Sequence, residues 1–276
     1  MKFSVLIAVY KKENPSNFDV ALDSLVNQTL MPNEIVLVKD GPLTVELEAV
    51  LNKYLSSFPD LFHIVPLPQN QGLGNALKIG LAQCQFDYVA RMDSDDICIE
   101  NRFKMQIDFL KQHPEIDVLG TGVEEFNHQP GDLKTFRILP SGGQALRRYA
   151  KFRSPVNHPS IIFKKSKVLE SGGYTSDILL FEDFTLFVRM LKHGAIFYNM
   201  PEVLLHFRIG DGIETIKRRS GLHYAKKELQ FLKFAKRIGH LNLPETLFYL
   251  FTKIPLRVLP PKLVLFIYNF FLRQKM

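Results

Sequence analysis

Apolar runs of strand length alternate along the first half of the chain with longer stretches of helical period. "FSVLIAVY" (3–10), "EIVLVKD" (34–40), "FHIVPLP" (62–68) and "DYVARMD" (87–93) are short and mostly apolar, and read as buried strands. Between and after them, 18–28, 43–57, 72–84 and 100–113 read as helices. In "FDVALDSLVNQ" the apolar positions 18, 21, 22, 25 and 26 line one helical face. "DVLGTGVEEF" (117–126) returns to strand. This alternation predicts an α/β fold with a Rossmann-like, mostly parallel sheet and helices on both faces. Ligands of such sheets sit beyond the carboxyl ends of the strands. Asp40 closes the second predicted strand and Asp93 the fourth, so both are expected on one rim.

The second half is less regular. Residues 127–157 mix turn and basic residues with little period. "HPSIIF" (158–163) predicts a strand and "LLFEDFTLFVRMLKHG" (179–194) a helix closed by Gly194. "AIFYNM" and "VLLHFRI" predict two short strands, and helix dominates from 214. A length of 276 residues suits one large domain, or one domain with an appendage. Cys84 and Cys98 have no paired spacing, which argues against a disulfide framework or a structural zinc and fits a reducing, cytoplasmic compartment. "MKFSVLIAVYKKEN" reads as a first strand, not as a signal peptide: its basic lead is one lysine and no small-residue cleavage site follows.

Charge divides the chain. Residues 217–276 hold 13 Lys+Arg against 2 Asp+Glu, while 1–216 hold 22 against 26. A basic segment attached to a mildly acidic body seeks phosphate, on nucleic acid or at an anionic membrane. The accompanying sequence, "LPETLFYLFTKIPLRVLPPKLVLFIYNFFLRQK", favours the membrane, because aromatics beside Lys and Arg suit helices lying in a bilayer interface. Its longest clean apolar run, 263–272, is about half of the ~20 residues a spanning helix needs. The competing expectation is a pair of helices packed on the body with their basic faces in water.

"RMDSDDI" (91–97) concentrates the candidate chemistry. In an extended segment Asp93 and Asp95 point to one side. Two such carboxylates form half of a hard-cation site for Mg²⁺ or Mn²⁺, completed by substrate phosphates. The alternative is a solvated turn in which Asp96 starts a helix. The acids of "FED" (181–183) are either catalytic or simply placed where a helix dipole favours them. "QNQGLGNAL" (69–77) has G-x-G without a third glycine, and is either a tight turn into a ligand-facing helix end or an ordinary turn. Tyr10 either lies against a nucleobase or packs in the core. His158 precedes Pro159 in a turn, and Arg208 is a candidate for phosphate or acceptor contact. Arg102 and Gln106 share a helix face and read as structural.

Taken in order across residues 3–210, "SVLIAVYKKE", "LDSLVNQTLMPNEIVLVKDGP", "NQGLGNALKIGLAQC", "RMDSDDI" and "FEDFTLFVRM" resemble the family 2 nucleotide-sugar glycosyltransferases of the GT-A fold. "VLLHFRIGDG" and the basic apolar tail are similar to the branch that builds amylovoran-type exopolysaccharides. The resemblance implies a GT-A catalytic domain over 1–212 and a helical C-terminal extension over 213–276, associated with the inner face of a bacterial plasma membrane. Asp40 would face the donor's nucleobase or ribose. Asp93 would contact the ribose or the metal, and Ser94 the nucleotide-sugar. Asp95 would bind Mn²⁺ or Mg²⁺ on the diphosphate. Asp183 would be the general base, with Glu182, His158 and Arg208 near the acceptor or the phosphates. The implied activity is inverting transfer from a nucleoside-diphosphate sugar, UDP by family habit, to a hydroxyl of a glycan or lipid-linked acceptor. Inversion needs one base opposite the leaving group. A sugar-phosphate nucleotidyltransferase and a non-catalytic membrane adaptor on the same fold are the competing readings; no nucleic-acid partner is expected.

Overall fold

The computed structural model describes residues 1–210 and 220–260. Strands β1 (Phe3–Val9), β2 (Glu34–Lys39), β3 (Phe62–Pro66) and β4 (Tyr88–Met92) pair in parallel in the order β3-β2-β1-β4. They are linked by α1 (Pro15–Val26), α2 (Val45–Ser57) and α3 (Leu73–Gln83). Alternation along β1 and β2 sends side chains to two cores. Val5, Ile7, Ile35 and Leu37 meet Phe18 and Leu22 of α1 and Leu47 and Leu51 of α2. Leu6, Val36 and Val38 meet Ala76, Leu77 and Leu81 of α3. The helices therefore cover both faces, as the pattern predicts.

Beyond β4 the sheet changes character. The chain continues through β5 (Ile97–Cys98), α4 (Arg102–Gln112), β6 (Val118–Phe126), β7 (Thr135–Arg137), α5 (Gly143–Tyr149), β8 (Ile162–Lys164), α6 (Lys165–Glu170), α7 (Glu182–Lys192) and β9 (Phe197–Arg208). Sheet order runs on as β4-β8-β6-β9-β5. β8 is antiparallel to both its neighbours, β9 is parallel to β6, and β7 hangs on β6. "HPSIIF" is strand only at its end, because His158–Ser160 form a 3₁₀ turn. The two short strands expected after 194 are one, β9. Its register slips so that Met200 pairs Thr121 while Val203 pairs Gly122. Pro201 lies in that slip, where its missing N–H breaks no ladder bond.

Gly80 shows how tightly α3 sits on the sheet. A Cβ there would lie 2.5 Å from Val38 Cγ2 and 2.6 Å from Leu6 Cδ1. Gly80→Ala is therefore expected to lower stability by about 1–3 kcal/mol, the overpacking cost exceeding alanine's helical advantage. A denaturant midpoint at or above wild type would show instead that the helix can back away.

Helices α8 (Gly221–Arg237) and α9 (Leu243–Val258) pack on the body. Phe184 of α7 stacks on Phe231 of α8 at 4.4 Å, and Ile178, Phe181, Val188, Leu232 and Tyr249 complete this third apolar cluster. Among the described residues, then, both helices are packed on the body. The boundary expected at 212/213, the helix onset at 214 and the apolar run 263–272 lie outside the described residues. Among the described residues no helix is long and apolar enough to cross a membrane.

Candidate active site

β4 ends at Met92 and delivers the aspartates to a tight turn at the carboxyl edge of the sheet, before β5 begins at Ile97. Asp96 therefore starts no helix. Carboxylate oxygens of Asp93, Asp95 and Asp96 all lie within 4.8 Å of one another. Asp93 is ion-paired with Arg91, which stands in β4 and is almost wholly buried. Asp95 is pushed up to about 7 by burial and then by the charges of Asp93 and Glu13. Asp96 is fully buried, and burial plus its two neighbours raise it well above the usual range. Its Oδ1 accepts the Arg208 backbone N–H at 2.8 Å, whereas its Oδ2 has no partner among the described residues. Ser94 Oγ donates to Glu13 Oε2 at 2.5 Å, which brings a fourth acid to the turn. Crowded carboxylates with an orphaned buried oxygen are a donor set for a hard divalent cation, and the residues present fit one.

The second acidic element is the start of α7. Leu180 sits at φ 72°, a left-handed conformation uncommon for leucine, and Phe181 leads into the helix. Glu182 and Asp183 occupy the first turn, and the Phe184 N–H donates to Asp183 Oδ1 at 2.7 Å. Burial raises Glu182. The glycine-rich helix α3 abuts this turn: a Cβ at Gly74 would lie 2.7 Å from Glu182 Cγ. Tyr174 lies ahead of this helix in sequence. It is fully buried, and its hydroxyl meets His158 Nε2 at 2.8 Å. Burial raises that hydroxyl, Arg91 opposes the rise, and the charges of both Asp183 and Asp93 add to it.

The other expected residues divide. Tyr10 follows β1 and is exposed, so it is not a core residue. Asp40 follows β2, beside it on the rim. Its carboxylate is buried and accepts from Asn70 Nδ2 at 2.9 Å and from the backbone N–H groups of Gln71 and Gly72 at 2.7 and 3.1 Å. It therefore holds the loop into α3. Arg208 is engaged within the protein. Its guanidinium donates to the backbone oxygens of Asp95 (2.9 Å) and Asn127 (3.1 Å) and lies over the Phe126 ring, bracing the aspartate turn. His158 is buried, with its ring lowered well below the ordinary value by burial and by Arg91, so it is a neutral partner of Tyr174, as a structural turn before Pro159 would have it. Arg102 and Gln106 are structural as expected: buried, bonded at 3.0 Å, and donating to the carbonyls of Arg91, Leu119 and Ser160.

Sequence reasoning missed Glu13, Arg91 and Tyr174. Arg91 carried a usable signal, since a guanidinium inside an otherwise apolar parallel strand must have a partner. Glu13 and Tyr174 carried none, because only the fold brings them to the turn.

An α/β sheet with an aspartate cluster at a strand's carboxyl edge, and a later helix that opens on two acids, is the pattern of the GT-A class of glycosyltransferase. The "Glycosyl transferase family 2" model matches residues 4–172, and the chain belongs to that family. It is 37% identical over 267 residues to the amylovoran biosynthesis glycosyltransferase AmsE of Erwinia amylovora, covering 97% of this chain and 98% of the relative. It is 36% identical over 276 residues to the UDP-Gal:alpha-D-GlcNAc-diphosphoundecaprenol beta-1,3-galactosyltransferase of Escherichia coli, covering 99% and 97%. Among solved structures it matches the mannosyltransferase PcManGT of Pyrobaculum calidifontis, in complex with GDP-Man and Mn²⁺. There the TM-score is 0.68 and the identity 17%, over 99% of this chain and 76% of that one, a likeness that shows the fold.

Proposed function

We propose that this chain is a metal-dependent, inverting hexosyltransferase. It moves a sugar from a nucleoside-diphosphate donor, with UDP as carrier, to a hydroxyl of a glycan or lipid-linked oligosaccharide in bacterial exopolysaccharide, capsule or lipopolysaccharide synthesis. Residues 1–212 form the catalytic domain and 213–276 an extension that works at the inner face of the plasma membrane. The observation that carries the reading is the cluster of Asp93, Asp95 and Asp96 at the end of β4, in a chain of this family whose α7 opens on the acids of "FED". The names of the relatives support the donor and acceptor classes.

Asp95 and Asp93 would hold the cation, Mn²⁺ or Mg²⁺. A divalent cation bound there supplies Lewis-acid stabilisation of the departing diphosphate. Arg91 fixes Asp93 from behind, and Arg208 fixes the turn's backbone. Asp40 shapes the loop under the nucleotide, and Tyr10 offers its exposed ring to the base. Asp183 takes the proton from the attacking hydroxyl on the face opposite the leaving group, and Glu182 beside it meets the acceptor. No second protein acid is needed, because a nucleoside diphosphate leaves without protonation.

Calorimetric titration with UDP, GDP and dTDP, each with Mn²⁺ and again with EDTA, tests this. One nucleotide is expected to bind with metal and to lose at least about tenfold in affinity without it. Failure of all three to bind folded protein would remove the reading.

A further inference from the structure

Helix α9 has two unlike faces. Tyr249 is buried on α8, and its hydroxyl donates to Glu228 Oε1 at 3.0 Å. Arg257 Nε donates to Glu228 Oε2 at 2.6 Å. Glu228 is itself buried, so this clamp fixes the rotation of α9 about its own axis. The N-terminus is fixed as well, by a capping box between Asn242 and Glu245. On the other side Leu243, Leu247, Phe251 and Val258 recur at spacings of four and seven and stay exposed, Phe251 at 73%. Phe248 stands beside them and is also exposed. A surface helix normally turns such a stripe inward; here the inward position is already taken by Tyr249 and Arg257.

The exposed charge of the preceding helix has one sign. Lys226, Lys233, Lys236 and Arg237 of α8 are exposed. Among residues 220–260 the acids are Glu228, committed to Tyr249 and Arg257, and Glu245, paired with Lys151 at 3.2 Å. By sequence the chain continues beyond α9 with three more Lys+Arg, no acid and a run of aliphatic and aromatic residues.

We infer that the outward apolar stripe of α9, together with the exposed basic residues of α8, is the surface by which this protein lies on an anionic lipid bilayer. Rigid leucine and phenylalanine side chains enter the acyl boundary while lysine and arginine meet lipid phosphates. The 16 residues of α9 span about 24 Å, short of a crossing, so the helix lies in the interface. A nucleic acid would use the lysines and leave the stripe in water. Phe181, just before the proposed base, packs on Tyr224 of α8 at 5.6 Å. The α7 end of the site therefore belongs to the same packed unit as the lipid-facing helix. The inference deepens the proposed function and rests on it only for what the acceptor carries, since vesicle binding involves no transfer.

The experiment is co-sedimentation of the full chain with phosphatidylcholine vesicles and with vesicles carrying about 30% phosphatidylglycerol. Binding is expected on the anionic vesicles and is expected to weaken at about 0.5 M salt. Leu247→Glu/Phe251→Glu is expected to weaken it at least about tenfold, with melting temperature and nucleotide binding kept. Leu247→Ser/Phe251→Ser is the milder companion should the glutamates disturb folding. Wild-type sedimentation by a folded double variant would overturn the inference and assign any lipid binding to residues 261–276. Equal binding to neutral vesicles would overturn it too, as would a dimer that the variant converts to monomer, since the stripe would then cover a second copy. Loss of transfer to a short water-soluble acceptor in wild type and variant alike, with the vesicle result as expected, would remove the transferase reading and leave the surface standing.

Discussion

Asp183→Asn is expected to abolish sugar transfer while leaving nucleotide binding within about threefold of wild type. The asparagine keeps an Oδ1 where the Phe184 N–H now donates at 2.7 Å, so the first turn of α7 has no reason to unwind. It differs in charge and cannot accept a proton from an attacking hydroxyl. A positioned general base contributes roughly 10²–10⁴ in rate, and the loss should fall in that range, in kcat and not in the donor's binding constant. The measurement is nucleoside-diphosphate release at saturating donor and acceptor, beside calorimetric binding of the nucleotide. Transfer within about tenfold of wild type would move the base elsewhere, with Glu182 first in line, because it shares the turn and burial already raises it.

The second large effect is at Asp95, and its sign differs between metal-free and metal-loaded protein. Without metal, Asp95 sits at about 7 against a value of 3.8 in the unfolded chain, through burial and the charges of Asp93 and Glu13. The native state therefore binds the extra proton between about pH 4 and 7. Stability is full below the unfolded value and declines as pH rises through that window, by a few kcal/mol at most. Metal-free wild type should melt at a higher temperature near pH 5.5 than near pH 8 on account of this group. Asp95→Asn removes a charge that its neighbours oppose, so the variant should be the more stable protein near pH 8 in EDTA. The same variant should lose the metal-dependent part of nucleotide binding, at least about tenfold. It should also lose the rise in melting temperature that Mn²⁺ gives wild type near pH 8, a rise that fades towards pH 5.5 as protons compete for the ligand. Thermal melts of both proteins at the two pH values, with EDTA and with Mn²⁺, read all of this without a transfer assay. A variant less stable than wild type in EDTA near pH 8 would mean that Asp95 stabilises the turn by a contact and does not strain it.

What the sequence determined by itself follows from local periods. Side chains repeat every two positions in strands and every 3.6 in helices, so β1 to β4 and the helices between them could be placed to within a few residues. Because ligands of such sheets lie beyond strand ends, the same pattern put Asp40 and Asp93 on one rim. The aspartate cluster was legible too, since three acids in four positions need neutralising whatever the fold. The tertiary structure alone decided what depends on neighbours distant in the chain. β8 enters between β4 and β6 with reversed direction, which no local pattern states. Arg91, a guanidinium in an apolar strand, finds its ion-pair partner only when the chain turns back at Asp93. For Asp40 and Arg208 the sequence shows no protein partner. Their partners, the carbonyls of Asp95 and Asn127 and the loop 70–72, are set by chain crossings that sequence spacing does not encode. The same holds for α9, whose sequence is amphipathic on either rotation. Which face turns outward was settled by one buried carboxylate, Glu228, on a different helix.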